Sequence, residues 1–292
     1  MPCGIIDGMT TNLLQLRVGA LRLALRPDLG GSIAGLWLGD LPVLRSTAAA
    51  ALETSRLSGS FPMVPYSNRI GFQRFEWMGQ SHTTTRNFDG NPHSLHGVAW
   101  QRPWAVVASS DTSVELLYRH EADAHWPFAF ESRQRIDLTA RSLTLHMDIS
   151  NIDTRVQPAG LGWHPYFHKR AGSHLQVGLN GRWDSDAAGL PAHLLPQAPF
   201  DADVCALDVD NVFEGWPGHA QIRDEAVIVS LSSSLPYLVI FTPQNKPYFC
   251  VEPVSHISNA VQMADPAAHG VRALAPGARF EAWMKLDIAA VA

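Results

Sequence analysis

Apolar and polar residues alternate along several stretches of the chain. The alternation is regular at positions 14–18, 21–25 and 143–149, and it is less regular at positions 280–288. A period of two places successive side chains on opposite faces of an extended backbone. These stretches are therefore predicted to be β-strands with one face on a core and the other facing water or a cleft.

Turn-forming residues separate these stretches. They occur at positions 27–31, 89–92, 215–218 and 276–277, within a total of 20 prolines and 22 glycines. Such spacing indicates many short elements joined by turns. One segment, Ser46 to Leu57 with its run of four alanines, is predicted to be a helix.

Strands and helices do not alternate along the chain, which argues against a parallel α/β fold. The pattern instead predicts an all-β protein, a large antiparallel β-sandwich with little helix. No linker, repeat or low-complexity tract divides the 292 residues. We therefore expect a single domain over residues 1–292, with residues 1–10 disordered.

Composition and charge narrow the function. The chain is 46% hydrophobic and 17% charged, as in folded globular proteins, and its net charge is −5 without a basic cluster. A nucleic-acid partner is therefore not expected. Three scattered cysteines favour a reducing compartment. With no leader-like start and no long apolar run, the sequence predicts a cytoplasmic protein that does not bind membranes.

Ionisable side chains lie beside aromatic residues and prolines in five segments. A sugar-binding pocket needs this mixture, because ring C–H faces stack on aromatic rings while hydroxyl groups need donors and acceptors. The segments are Phe61–Ile70, His93–Gly97, Gly162–Phe167, Val209–Trp216 and Cys250–His256.

Four of these ionisable residues have both a structural and a functional interpretation. Glu252 lies between an apolar stretch and Pro253, so it is predicted to end a strand either as a catalyst or in a salt bridge. His164 and His96 fit a buried core position as well as a catalytic one. Arg69 could bind hydroxyl groups or form a structural ion pair.

Metal and cofactor sites are not expected. His93 and His96, like His164 and His168, have spacings that suit zinc, but no accompanying cysteine or HExxH pattern supports a site. The chain has no phosphate-binding loop and no GxSxG nucleophile motif. Cys205 and Cys250 have no evident activating partner and are expected to be inert packing residues.

Taken in chain order, these segments resemble the aldose 1-epimerase (galactose mutarotase) family, and the resemblance spans nearly the whole chain. Each motif is short, but five in the same order are specific. The motifs are Pro65-Tyr-Ser-Asn-Arg-Ile70, His93-Ser-Leu-His-Gly97, Gly162-Trp-His-Pro-Tyr-Phe167, Asp210-Asn-Val-Phe213 with Gly215-Trp216, and Val251-Glu-Pro253.

The resemblance implies a β-sandwich of the supersandwich type with a sugar cleft on one sheet. It implies that Glu252 is a catalytic base and His164 a catalytic acid, and that the substrate is positioned by His96, Asp210, Arg69 and Asn68. The familiar galactose mutarotases carry Glu-Thr-Gln around the base, whereas here Pro253 and Val254 follow Glu252. This departure leaves the preferred sugar open.

The implied reaction interconverts the α and β anomers of a free aldose by acid–base ring opening and reclosure. Three alternatives stay open. A hexose-6-phosphate 1-epimerase would need phosphate ligands such as Arg86 or Arg102. A non-catalytic sugar-binding protein could share the scaffold. A glycosidase could use Glu252 and Asp210 as paired carboxylates. The sequence does not decide between a monomer and a homodimer.

Overall fold

The computed structural model describes residues 13–291, of which about half, 51%, lie in β-strands and none in a helix of seven or more residues. This confirms the predicted all-β class. The expectation of disorder at residues 1–10 lies outside the described residues. Among those described, no helix combines the length and apolar character needed to cross a bilayer.

The strands are numbered in chain order. The first fourteen are β1 (Leu14–Val18), β2 (Leu21–Arg26), β3 (Ser32–Leu38), β4 (Leu41–Pro42), β5 (Pro62–Met63), β6 (Arg69–Ile70), β7 (Arg74–Trp77), β8 (Gln80–Thr83), β9 (Ser94–Leu95), β10 (Ala105–Ser109), β11 (Ser113–His120), β12 (Phe130–Leu138), β13 (Ser142–Asn151) and β14 (Gln157–Ala159). The others are β15 (Gly162–Trp163), β16 (Tyr166–His168), β17 (His174–Val177), β18 (Gly181–Ser185), β19 (Pro191–Pro196), β20 (Phe200–Asp203), β21 (Asp210–Glu214), β22 (His219–Arg223), β23 (Val227–Ser233), β24 (Tyr237–Phe241), β25 (Tyr248–Val254), β26 (Arg272–Leu274) and β27 (Arg279–Ala290).

Two large antiparallel sheets dominate the fold. One has nine strands in the order β10-β11-β12-β13-β27-β23-β22-β17-β20. The other has eight strands in the order β19-β18-β21-β24-β25-β15-β5, with β16 also paired to β25. A four-stranded sheet, β1-β2-β3-β4, and three two-stranded pairs complete the structure. The two-stranded pairs are β14-β26, β6-β9 and β7-β8.

Alternation along the strands separates the core from the outer faces. In β13, Leu143, Leu145, Met147 and Ile149 are all buried, while His146 between them is exposed. The same hydrophobic cluster includes residues of both large sheets. A hydrogen bond of 3.0 Å from Trp163 Nε1 in β15 to the Gln134 side chain in β12 also joins the sheets. The four strands predicted from alternation are confirmed as β1, β2, β13 and β27.

The predicted helix at Ser46–Leu57 is wrong. The structure has two single 3₁₀ turns there, Ala49–Ala51 and Ser55–Leu57. The alanine run is too short to offset the cost of starting an α-helix. In addition, Arg26 Nη1 donates to the carbonyl oxygens of Ala49 and Leu52 at 2.6 and 2.9 Å. Tertiary contacts therefore take the acceptors that a continuing helix would use. Short 3₁₀ turns also occur at Gly71–Gln73, Ala99–Gln101, Val204–Ala206 and Ala260–Gln262.

Candidate active site

The face of the eight-stranded sheet turned away from the core forms the floor of a cleft of about 610 Å³. Strands β24 and β25 contribute the floor, and loops carrying Phe61, Phe88 and Trp100 contribute the walls. The cleft contains every site residue proposed from the sequence, namely Asn68, Arg69, His96, His164, Asp210 and Glu252. These residues lie far apart in sequence, and the sheet brings them together.

Strand alternation directs the two central ionisable side chains into the cleft. Trp163 points into the core, where it bonds Gln134, so the next residue, His164, faces the opposite side. Likewise Val251 belongs to the core while Glu252 lines the cleft. Strand β25 continues through Pro253 to Val254, so the expectation that Glu252 ends a strand is wrong.

Glu252 and His164 face each other across a short gap. His164 Nε2 lies 3.3 Å from Glu252 Oε1, and the two side chains are 10% and 3% exposed. Burial raises the pKa of Glu252 well above its ordinary value, and the charge of Asp210 adds to the rise. Burial also lowers the pKa of His164 well below its ordinary value, with His96 and Arg45 contributing. Both shifts favour the uncharged form of each group, so the pair holds a single proton over a wide pH range.

His96 is held as a neutral donor. Its Nδ1 accepts a hydrogen bond of 3.2 Å from the backbone N–H of Asn68, so its proton resides on Nε2. Burial lowers the pKa of His96 to about 3, which keeps the ring neutral near pH 7. The residue has a φ of 60°, a strained conformation for histidine that is typical of functional sites.

Gly97 makes this strained loop possible. Its φ is +75°, and a Cβ atom there would lie 2.1 Å from the carbonyl oxygen of Val64. The backbone of Val64 makes this close approach to Gly97, and the two residues form an isolated β-bridge. Any side chain at this position would push the His96 loop away from the cleft.

Asn68, Arg69 and Asp210 form a chain of polar contacts at one side of the cleft. Arg69 donates from Nη1 to Asn68 Oδ1 at 3.1 Å and from Nη2 to Asp210 Oδ2 at 3.3 Å. The Asp210 side chain is 49% exposed, so its carboxylate retains acceptor capacity for a ligand. Ser258 also donates to Asn68 Oδ1, at 3.0 Å, which fixes the orientation of the amide.

A buried histidine outside the cleft supports the segment that carries Asn68. His256 Nε2 accepts a bond of 3.1 Å from the Ser67 N–H, and its Nδ1 donates to the Ile257 carbonyl at 2.7 Å. The ring packs so closely on Gly160 that a Cβ there would lie 2.1 Å from His256 Cδ2. Protonation of Nε2 would break the bond to Ser67, and burial lowers the pKa of His256 to about 4.

We expect acid to destabilise the protein through this histidine. The imidazole of His256 has a pKa near 6.5 in the unfolded chain, whereas in the folded chain its pKa is about 4. The contribution of His256 to stability is therefore fully present above about pH 6.5 and is lost towards pH 4, by on the order of 3 kcal/mol. Urea unfolding at several pH values measures this loss, and His256→Gln should flatten the slope. An unchanged slope in that variant would show that another group is responsible.

The His/Cys/Asp/Glu side chains among residues 13–291 that lie close enough to share a metal ion are His164, Cys250 and Glu252, with ligand atoms within 4.8 Å of one another. Burial raises the pKa of the Cys250 thiol, which disfavours the thiolate that metals bind. His93 is already engaged, because Nδ1 accepts from the Phe72 N–H and Nε2 lies 2.8 Å from the Ala188 carbonyl oxygen.

Several cleft residues were not singled out from the sequence. Phe61 and Tyr166 pack against His164 with ring centroids 4.7 and 4.4 Å away; both lie in aromatic segments that the sequence highlighted. Arg45, Arg56 and Lys246 also line the cleft, but no local pattern marks them. Arg86 and Arg102, the phosphate ligands considered from the sequence, do not line it.

The comparison with known proteins agrees with the geometry of the site. The sequence profile of the aldose 1-epimerase family matches residues 12–287. YphB, an uncharacterized protein of Escherichia coli K12, is 31% identical over 94% of this chain and 98% of its own length.

Solved structures share the fold. A crystal structure from Escherichia coli K12, provisionally described as an aldose 1-epimerase, superposes with a TM-score of 0.86 at 28% identity and covers 96% of this chain and 99% of that one. A galactose mutarotase-like protein of Clostridium acetobutylicum gives a TM-score of 0.82 at 21% identity, covering 96% and 95%. At that identity the second likeness concerns the fold alone.

Proposed function

Because the chain belongs to the aldose 1-epimerase family, we propose that it is a mutarotase that interconverts the α and β anomers of an aldose. The observation that carries this proposal is the buried pair of Glu252 and His164, 3.3 Å apart at the floor of the cleft. Anomer exchange needs one base and one acid held together, and no metal or nucleotide.

In the proposed reaction, Glu252 removes the proton of the C1 hydroxyl while His164 gives a proton to the ring oxygen. The bond between C1 and the ring oxygen breaks, which leaves an open-chain aldehyde. Rotation about the bond between C1 and C2 presents the other face of the carbonyl. Reclosure returns the proton from Glu252 to the C1 oxygen and the ring hydroxyl proton to His164, so both groups end as they began.

The burial of the pair supports this cycle. Ring opening converts a charged pair, carboxylate and imidazolium, into a neutral pair, carboxylic acid and imidazole. Burial favours the neutral pair, so the enzyme form that accompanies the open chain is not penalised. The charged pair that begins the reaction is the less favoured state in this buried cleft, so the first proton transfer moves the pair towards its favoured state.

The proposed binding roles follow from donor and acceptor chemistry. Neutral His96 would donate from Nε2 to the ring oxygen or a neighbouring hydroxyl oxygen. Arg69 and Asp210 would hold adjacent hydroxyl groups, with Asn68 contributing to the same side. Phe61 and Tyr166, which pack on His164, would hold its imidazole in place beside the sugar.

Exchange NMR on a panel of aldoses tests the proposal, because it reports substrate and anomer exchange together. We expect the protein to accelerate exchange between the anomeric C1–H signals in proportion to its concentration. Sugar binding without acceleration would favour the non-catalytic alternative. Cleavage of a fluorogenic glycoside would favour a glycosidase.

We expect Asp210→Asn to weaken substrate binding more than it slows the chemical step. The variant loses a charge-assisted hydrogen bond to a sugar hydroxyl, which is worth about 1.5–3 kcal/mol. KM should therefore rise by roughly tenfold or more while kcat changes less. Saturation kinetics measure both constants.

Asp208→Asn is the matched control, since Asp208 is exposed two residues earlier and does not line the cleft. It should behave like the parent protein. Equal KM values in the parent and Asp210→Asn would contradict the role proposed for Asp210.

A further inference from the structure

The cleft is unusually rich in positive charge for an acidic protein. The whole chain has a net charge of −5. Yet the cleft is lined by four cationic side chains, Arg45, Arg56, Arg69 and Lys246, and by the two carboxylates Asp210 and Glu252. The charge of the cleft therefore differs in sign from that of the molecule.

Three of these cations have no carboxylate partner. Arg69 is paired with Asp210, and Glu252 faces His164. No Asp or Glu oxygen among residues 13–291 lies within 4.0 Å of the charged nitrogens of Arg45, Arg56 or Lys246; other arginines of the same chain form such pairs, as Arg170 does with Asp224. Cations left unpaired inside a concave site attract an anionic ligand.

Arg45 is the most firmly placed of the three. Its guanidinium lies 3.6 Å above the ring of Tyr166 and 4.9 Å from that of Tyr248. Nε and Nη2 donate to the Ser58 carbonyl oxygen at 2.9 and 2.6 Å. Nη1 donates to no residue within the described chain, so a planar donor group is held in place with one nitrogen available. Such preorganisation is what recognition of an oxyanion requires.

The other two cations line the same cleft as Arg45. Arg45 Nη2 also donates to the carbonyl oxygen of Arg56, and Lys246 lies two residues before Tyr248. The Arg56 guanidinium lies 4.1 Å above the ring of Phe88, which holds it at the wall of the cleft. All three cations line the same cleft, and we call them the cationic cluster (Arg45, Arg56 and Lys246).

Strand register relates the position of Arg45 to that of the proposed base. Tyr166, beneath Arg45, pairs with Cys250 in β25, and Cys250 lies two residues before Glu252. Two residues along a strand span about 7 Å. An aldose with C1 at Glu252 would thus place a substituent at the far end of its ring on the side of Arg45.

We propose that the substrate of this site is an acidic aldose, a sugar with an anionic group distant from C1, and that the cationic cluster binds this group. The inference rests on the proposed mutarotase function and names its substrate class. Carboxylate and phosphate share the necessary chemistry, several oxygen acceptors with negative charge. The site residues Arg69 and Asp210 remain free to bind hydroxyl groups.

The test compares acidic and neutral aldoses on the intact protein. Exchange NMR gives kcat/KM for D-glucose, D-galactose, D-glucuronate, D-galacturonate and D-glucose 6-phosphate. We expect at least one acidic sugar to exceed its neutral counterpart by about tenfold or more, mostly through a lower KM. The advantage should shrink as salt is added, since exposed charges are screened. Comparison of the uronates with D-glucose 6-phosphate shows whether the site prefers a carboxylate or a phosphate.

A double variant, Arg56→Gln with Lys246→Gln, tests whether these two side chains bind the anionic group of the sugar. Both side chains are exposed, so the fold should tolerate the change. The ratio of acidic to neutral kcat/KM should fall by about tenfold. The matched control, Arg17→Gln with Arg223→Gln, removes the same two charges at exposed positions outside the cleft and should leave that ratio at the parent value.

Calorimetric binding of D-glucuronate, D-glucose 6-phosphate and D-glucose to the same proteins completes the design. Turnover of neutral aldoses with no preference for acidic ones, or an equal ratio in both double variants, would overturn the inference and leave the proposed function intact. Absence of turnover with every sugar would overturn the proposed function. In that case tighter binding of the acidic sugars would still support the cationic cluster, and equal binding would refute it.

Discussion

Glu252→Gln should retain sugar binding and lose most turnover, by about 10²–10⁴-fold, because a general base contributes on that order and an amide cannot take up the C1 hydroxyl proton. Glutamine has nearly the shape of glutamate, so the cleft keeps its form. Exchange NMR measures turnover, and calorimetry measures binding of the same sugar.

The melting temperature distinguishes this loss of turnover from a folding defect. Glu252 is 2% exposed, and burial of an ionisable group is costly, so replacing it with a neutral amide should leave the melting temperature equal or higher. Asp148→Asn is the matched control. Asp148 is also a buried carboxylate with a pKa raised by burial, but it lies in the nine-stranded sheet. Turnover should survive in that variant, and parent-like turnover in Glu252→Gln would refute the base assignment.

His164→Gln should also lose about 10²–10⁴-fold in kcat, because no other group then protonates the ring oxygen. The glutamine amide can occupy the position of Nε2 opposite Glu252, but it does not transfer a proton. Polarimetry on a freshly dissolved pure anomer measures the loss. His120→Gln is the control, a buried histidine with a lowered pKa outside the cleft.

The losses of turnover in Glu252→Gln and His164→Gln should not multiply when the two substitutions are combined. Because Glu252 and His164 exchange protons with the same substrate and share one proton between them, loss of either disables the pair. The double variant should therefore be about as slow as the slower single variant. Fully multiplicative losses would indicate that the two residues act in separate steps and would contradict the concerted roles proposed here.

Much of the fold could be predicted from local patterns. The alternation at positions 14–18 and 143–149 gave the correct strands because backbone geometry sets the period of two locally. The helix predicted at Ser46–Leu57 failed for the opposite reason. Its carbonyl groups bind Arg26, a residue more than twenty positions away, and no local pattern reveals such a contact.

The candidate site was likewise predicted only in part. The sequence named Glu252, His164 and their polar neighbours because ionisable groups beside aromatics stand out and because their order resembles a family. It placed Glu252 at a strand end, whereas the strand continues through Pro253. It also missed Arg45, since nothing near Leu44 or Ser46 distinguishes this arginine from one on the surface.

The sequence by itself therefore determined the all-β class, the four strands with clear alternation and the face that each of them buries, and the chemical types available to the cleft. Only the tertiary structure decided which side chains lie next to one another. Asp210, Phe241, Cys250 and Tyr166 occupy successive positions across β21, β24, β25 and β16, although the chain visits them in a different order. Strand register and sheet order depend on long-range pairing, so the gap of 3.3 Å between Glu252 and His164 and the position of the unpaired cations emerge only when the sheet forms.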